Sequence, residues 1–280
     1  MKPIQKILRF SGSKFSSIEM KILGCIGFFA ALLWSPAPDV FAESKANTSL
    51  RSCVAHRGYS SMYLENSIQA FREAINVGAG GIELDLQHTK DGHSLVLHDE
   101  TLERTGKSKD GFVCKVSTPV QFQTLHEIKK NCQLLNGENI TTLAELFVLL
   151  QDDPTRMFIE LKDQASKESL DLFRKYRKKI AVISLDLRYL NHVMQQLGSR
   201  VHIPYFYISK AAVPLADKFS GLGSNTISDQ QIKDLKARNK MINIWTVNDE
   251  DHIRQLFARG VNYITTDEAE LCVQILRDME

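Results

Sequence analysis

Two histidines, three carboxylates and two cations stand where apolar runs of this chain give way to polar groups. His56 and Arg57 follow the run from Cys53 to Ala55, and His98 follows the run from Ser94 to Leu97. Glu83 and Asp85 alternate with Ile82, Leu84 and Leu86, and Glu160 and Lys162 end the run that begins at Met157. Carboxylates with no histidine among them make an oxygen-rich site suited to one hard divalent cation, Ca2+ or Mg2+, and poorly suited to zinc. Arg57 and Lys162 bring positive charge for an anionic ligand such as phosphate. Imidazole both takes and gives a proton near neutrality, so His56 and His98 are a candidate acid and base for P–O cleavage. Histidines 88, 93, 126, 192, 202 and 252 fall on loops or helix faces and read as ordinary. Trp245, at the end of another apolar run, is either core filling or an apolar wall for a substrate.

The acidic pair needs a particular setting. Side chains two apart on a strand share a face, so Glu83 and Asp85 point one way while Ile82, Leu84 and Leu86 point the other. Desolvated carboxylates side by side repel each other unless a cation sits between them. An edge strand with a solvated acidic face is the competing reading of the same residues.

Strand-like runs occur at 51–55, 81–86, 157–162, 181–184, 201–207, 222–224, 241–246 and 261–266, with a short additional one at 94–97. Pro204 argues for a bend within the fifth. Helical spacing appears between most of them: Ile68, Phe71, Ala74 and Ile75 share a face after an Asn66 or Ser67 cap, and Thr142 with Glu145 reads as a capping box. Residues 100–139 lose this regularity and hold a weak helix around 125–130, as an insertion rising over the top of the fold would. Eight strands with intervening helices in about 230 residues predict a (β/α)8 TIM barrel with a small insertion between the second and third βα units. Functional groups at strand C-terminal ends fit that architecture. A doubly wound sheet would want a glycine-rich phosphate loop after the first strand, and His56-Arg57-Gly58 is not one. Gly58 instead fits a sharp turn or a close backbone approach to a ligand.

The N-terminus reads as a separate segment. Residues 22–34 are apolar and almost uncharged, Lys21 precedes them, and Val40, Phe41 and Ala42 offer small residues where an export signal is cleaved. Residues 1–42 are therefore expected to be a signal segment, with the true start possible at Met20, and residues 43–280 the folded domain. An uncleaved membrane anchor is the alternative, although the run is short of the ~20 residues a spanning helix wants. The segment carries five basic and two acidic residues, so removing its net +3 turns the whole-chain +2 into −1. Such a protein has no basic surplus for nucleic acid or anionic membrane. Four of the five cysteines remain, at 53, 114, 132 and 272, and match no zinc spacing. Cys114 with Cys132 is the more believable disulfide; Cys53, in an apolar run, reads as simply buried.

Taken together the motifs resemble the glycerophosphodiester phosphodiesterase family. The resemblance covers about residues 51–270 and rests on His56-Arg57-Gly58, Glu65-Asn66, Glu83-x-Asp85, Thr89-x-Asp91-Gly92, His98-Asp99 with Arg104-Thr105, Thr142-Leu143-x-Glu145, Glu160-x-Lys162, Trp245-Thr246-Val247-Asn248 and Thr266-Asp267. It implies His56 and His98 as catalytic residues, a cation held by Glu83, Asp85 and Glu160, and phosphate oxygens held by Arg57 and Lys162. Asn66, which would orient His56 or a water on the ion, and Trp245 join the substrate-binding set. The implied reaction releases glycerol 3-phosphate from a small glycerophosphodiester; His98 as first base with His56 as acid is one assignment of the pair. The protein would be periplasmic or secreted, a monomer or homodimer, touching membrane only through an uncleaved signal or a lipid substrate. Leu64 and Ser67 replace the proline and threonine usual beside Glu-Asn, and residues 209–226, which would form part of the substrate wall, match poorly. A phospholipase D acting on sphingomyelin or lysophospholipid has a similar barrel and paired histidines, and a non-catalytic binding barrel would have lost some of them.

Overall fold

Along each strand the side chains alternate between two environments, and that alternation builds the architecture. The computed structural model describes residues 50–209 and 218–279. The signal segment expected at 1–42, the start at Met20 and residues 210–217 of the poorly matching stretch at 209–226 lie outside them. In chain order the elements are β1 (Ser52–Ala55), α1 (Ile68–Val77), β2 (Gly81–His88), β3 (Ser94–Val96), β4 (Gly106–Ser108), α2 (Leu125–Asn131), β5 (Cys132–Leu134), α3 (Leu143–Leu149), β6 (Arg156–Leu161) and α4 (Lys167–Lys175). Then come β7 (Ile180–Ser184), α5 (Leu187–Leu197), β8 (Tyr205–Ser209), β9 (Gly221–Ser224), α6 (Asp229–Ala237), β10 (Met241–Ile244), α7 (Glu250–Arg259), β11 (Tyr263–Thr266) and α8 (Ala269–Asp278). Strands β1, β2, β6, β7, β8, β9, β10 and β11 pair in parallel in that order, and β11 returns to β1. This is the (β/α)8 barrel.

Outward residues such as Ile82, Leu84, Ile159 and Val182 pack in one large core with the helices. Inward residues fill the barrel: Phe158, Phe206 and Tyr263 form an aromatic plug with ring centroids 5.1–5.9 Å apart. Glycines face those rings. A Cβ at Gly221 would lie 2.4 Å from the Phe206 ring, and one at Gly81 would lie 2.9 Å from that of Phe158. The barrel is therefore closed below, and only the positions above the plug are open to a ligand.

Several local expectations change. The run at 94–97 is β3, which pairs antiparallel with the end of β2 and stands outside the barrel. The fifth barrel strand begins only at Tyr205, because Pro204 supplies no N–H for pairing. Ser67, not Asn66, caps α1, accepting from the Ala70 backbone N. Gly58 makes its close approach to α1 and not to a ligand, since a Cβ there would meet the Ala70 backbone at 2.7 Å. Cys114–Cys132 is a disulfide, but Cys53 is not merely buried: it is bonded to Cys272. Cys53 points outward from β1, and ring closure brings α8 over that strand.

Between β2 and α3 the chain builds its own small core, in which Leu102, Cys114, Val120, Ile128 and Leu134 pack on Leu95 and Leu97. The β4–β5 hairpin and the Cys114–Cys132 bond hold this insertion together. Among the described residues no helix is long and apolar enough to cross a membrane.

Candidate active site

Above the plug, inward positions of β2 and β6 carry the acidic groups. Register pairs Asp85 with Glu160, and Glu83 lies one inward step below Asp85. Oxygens of Glu83, Asp85 and Glu160 lie within 4.8 Å of one another, a candidate metal centre. Asp85 is fully buried and Glu83 is 2% exposed, so neither has bulk water to screen it. Burial, then the charges of Asp85 and Glu160, push Glu83 well above the usual carboxylate range. Asp85 goes the other way: burial opposes ionisation, but Lys162 and Arg57 outweigh it.

Cations flank the group. Lys162 Nζ is 2.7 Å from Glu160 Oε1 and 3.0 Å from Asp85 Oδ1, and Arg57 Nε is 3.1 Å from Asp85 Oδ2. Arg57 has a left-handed backbone (φ 57°), held there as its N–H donates to Glu83 Oε2 at 3.0 Å. Asn66 is also left-handed (φ 56°), its N–H donating to the Arg57 carbonyl. Its side chain lies behind the acidic pair, Nδ2 donating to Asp85 Oδ2 at 2.9 Å. Asn66 thus orients a carboxylate, and it makes no contact with His56 and does not itself line the cavity.

Each candidate histidine has a carboxylate on Nδ1. His56 is 2.7 Å from Asp267 Oδ1, and His98 is 2.6 Å from Asp99 Oδ1. Both leave Nε2 without a partner among the described residues. Asp267 also accepts from Ser60 Oγ at 2.9 Å and Asn248 Nδ2 at 2.8 Å. Burial would raise its pKa, but the hydrogen bonds from His56 and Asn248, with that from Ser60, bring it down to about 2. Asp99 accepts from Arg104 Nε at 2.7 Å, and Arg104 reaches on to Glu65, which in turn holds Arg57 at 3.0 Å.

A cavity of about 190 Å3 unites these groups. His56, Arg57, Glu83, His98, Glu160 and Lys162 line its charged side; Ile183, Leu185, Ile208 and Trp245 line the other, with Asn243 and Thr265 between. Trp245 packs on the aromatic plug and also lines the cavity. Of the expected site residues all but Asn66 and Asp85 line this space, and both of those lie behind it, bonded to each other. It brings two imidazoles beside a cluster of carboxylate oxygens and two cations, an arrangement capable of general acid and base chemistry.

Asp267 and Asn248 carried no role in the sequence reading. The signal was present: β1 and β11 are neighbours in a closed barrel, with Ala55 opposite Thr266, so the residue after the last strand sits beside the residue after the first. His88 differs as well. It ends β2, points outward, pairs with Asp163 and lies 2.6 Å from Ser169 Oγ. Ser169 is fully buried, so this acid, base and hydroxyl tie α4 to the barrel and meet no substrate.

A family model described as the glycerophosphoryl diester phosphodiesterase family matches residues 56–271. A glycerophosphodiester phosphodiesterase of Caldanaerobacter subterraneus is 30% identical over 237 residues, 80% of this chain and 97% of the relative. Among solved structures, one of the same description from Thermotoga maritima is 28% identical, with a TM-score of 0.63 over 80% of this chain and 98% of that one. An Oleispira antarctica phosphodiesterase, solved with the product sn-glycerol 3-phosphate, shares the fold at a TM-score of 0.68 and 22% identity, over 83% and 99% of the two chains.

Proposed function

The chain belongs to the glycerophosphoryl diester phosphodiesterase family, a family of hydrolases, and on that premise we propose that it cleaves small glycerophosphodiesters, such as glycerophosphocholine or glycerophosphoethanolamine, to glycerol 3-phosphate and an alcohol. The observation that carries this reading is the convergence on one cavity of two histidines, each braced at Nδ1 by a carboxylate, with two cations and a cluster of three carboxylates, two of which line it.

Glu83, Asp85 and Glu160 would hold one divalent cation, Ca2+ or Mg2+. The fit rests on their all-oxygen donor set and on Glu83 Oε1, which is buried with no hydrogen-bond partner. When bound, such an ion supplies positive charge that polarises the phosphate and acidifies a nearby hydroxyl. Arg57 and Lys162 take the phosphate oxygens and set phosphorus opposite the histidines. One histidine accepts the proton of the glycerol 2-hydroxyl at Nε2 as that oxygen attacks phosphorus within the same molecule. The other gives a proton to the departing alcohol, breaking the P–O bond. Water then opens the cyclic phosphate with the two roles exchanged. The asymmetric lining fits this division, since an alcohol of varied structure meets Leu185, 43% exposed at the rim.

Glycerophosphocholine with the purified protein, in Mg2+, in Ca2+ and in chelator, tests the proposal. Glycerol 3-phosphate should appear only with the ion, and His56→Ala and His98→Ala should each lose at least about 100-fold in kcat. No product with either ion, or unchanged turnover in His56→Ala, overturns it. Faster release of choline from sphingomyelin or lysophosphatidylcholine than from glycerophosphocholine would assign the site to lipid instead. We also read the chain as exported, periplasmic or secreted, with the boundary near residue 42; the two disulfides support an oxidising compartment.

A further inference from the structure

The mechanism uses the charged side of the cavity and leaves two donors on the other side unused. Asn243 is an inward residue of β10, only 2% exposed. Its Oδ1 accepts from Thr265 Oγ1 at 2.9 Å, which turns the amide nitrogen away from Thr265. No described residue accepts from that nitrogen, and Asn243 lines the cavity. Trp245, two residues on and therefore on the same face, presents a buried Nε1–H that also lacks a partner. Gly223, opposite Asn243 on β9, keeps the neighbouring space open, for a Cβ there would come within 3.6 Å of Trp245 Nε1.

These are neutral donors. Lys162 follows β6, four strands round the barrel from β10, so the anionic part of a substrate is drawn to the far side. Neutral N–H groups in a nearly dry recess suit a neutral oxygen, and an unpaired buried donor rejects any ligand that leaves it unpaired. A glycerophosphodiester has two free hydroxyls. The 2-hydroxyl must lie with the histidines and carboxylates, because it loses its proton there. The variable alcohol needs the open rim. The terminal hydroxyl of the glycerol remains for the recess.

Resting on the function proposed above, we infer that Asn243, oriented by Thr265 and assisted by Trp245 Nε1, binds the terminal glycerol hydroxyl and makes this enzyme select glycerol over shorter diols. The test compares glycerophosphocholine with 2-hydroxypropyl phosphocholine, which keeps the attacking hydroxyl and the choline but lacks the terminal hydroxyl. The parent enzyme should favour the former about 10- to 100-fold in kcat/KM. Asn243→Leu should bring that ratio below about threefold by losing rate on glycerophosphocholine alone, and Thr265→Val should lower it partway. Calorimetry on the parent, independent of any variant's folding, should show 2-hydroxypropyl phosphate binding at least about tenfold more weakly than glycerol 3-phosphate. Equal binding of the two monoesters overturns the inference, as does an unchanged substrate ratio in a folded Asn243→Leu protein. Failure of the parent on both diesters would overturn the proposed function itself, and this inference with it.

Discussion

Asp267→Asn is nearly isosteric, and the contacts of Asp267 define how it should fail. Asp267 accepts at both oxygens, from His56 Nδ1 and Ser60 Oγ on Oδ1 and from Asn248 Nδ2 on Oδ2. Asn248 cannot turn to suit an amide, because its own Oδ1 accepts from Thr266 Oγ1 at 3.0 Å and from the Asp267 backbone at 2.9 Å. The new side chain must therefore aim its oxygen at Asn248 and its NH2 group at His56. His56 Nδ1 then accepts, and the imidazole proton moves to Nε2, where a base facing the substrate should carry none. Loss of a charge-assisted hydrogen bond alone is worth about 1.5–3 kcal/mol, a factor of roughly 10 to 150 in rate. The wrong tautomer takes the loss toward about 10^3 to 10^4. Release of glycerol 3-phosphate, followed through a coupled dehydrogenase, should show kcat down at least about 100-fold with KM within about threefold, and Asp267→Glu should recover part of it. A kcat within about threefold of the parent, or a loss carried by KM, would refute the argument. Stability supplies a second readout. The pKa of Asp267 falls from 3.8 to about 2, so its stabilisation is complete above about pH 4 and is lost as pH falls through 2. Discounted for the 31% exposure of the side chain, that is about 1–2 kcal/mol. The gap between parent and variant should be widest above pH 4 and close by pH 2 in denaturant titrations.

Two other perturbations follow from burial and from connectivity. Glu83 is raised by burial and by Asp85 and Glu160, so in chelator the parent should lose stability as pH climbs from the ordinary carboxylate range toward neutrality. Glu83→Gln removes that loss: the metal-free variant should be more stable than the parent by about 1–3 kcal/mol at pH 7, yet need at least about tenfold more Mg2+ or Ca2+ for half-maximal activity. A destabilised apo variant, or an unchanged ion requirement, would contradict this. The Cys53–Cys272 bond spans 219 residues of sequence, so Cys53→Ala with Cys272→Ala should cost about 3–5 kcal/mol and lower Tm by about 10 °C or more. Reductant should move the parent by as much. If export is wrong, the protein unfolded in denaturant will alkylate at Cys53, Cys114, Cys132 and Cys272 before any reductant is added.

How much was legible in the sequence divides along a physical line. Groups on strand interiors were readable, because a period of two assigns faces without knowledge of the neighbours: Glu83 and Asp85 fell on one face and Ile82, Leu84 and Leu86 on the other, and the structure turns the first face inward. Helix caps with two-sided chemistry, such as Thr142 with Glu145, were equally local. What depends on ring closure was not. Cys53 meets Cys272, and His56 meets Asp267, only because the first and last strands pair, and no local pattern records that. Asn66 shows a third kind of limit. Its place beside Glu65 marked it as functional, but which carboxylate or histidine it serves depends on a left-handed turn that no residue type at that position demands.

That turn sits within a continuous run of charge. From Asp99 the contacts pass through Arg104 to Glu65, then through Arg57 to Asp85, Lys162 and Glu160. Arg104 is 48% exposed, and an ion pair at such a position contributes at most about 1 kcal/mol to stability. Its weight lies elsewhere. Arg104 is the single contribution of the insertion to this run among the described residues, and it fixes Asp99, which holds His98, and Glu65, which holds Arg57. Without it, Glu65 would face Arg57 alone, and Asp99 would be free to turn away from the imidazole. The buried acidic pair gains from the same arrangement, since Arg57 is held in place from outside while it neutralises Asp85 from within. The insertion is therefore more than a cover. It supplies the outer cation that lets His98 and Arg57, carried by different elements, take fixed positions relative to the cluster of three carboxylates.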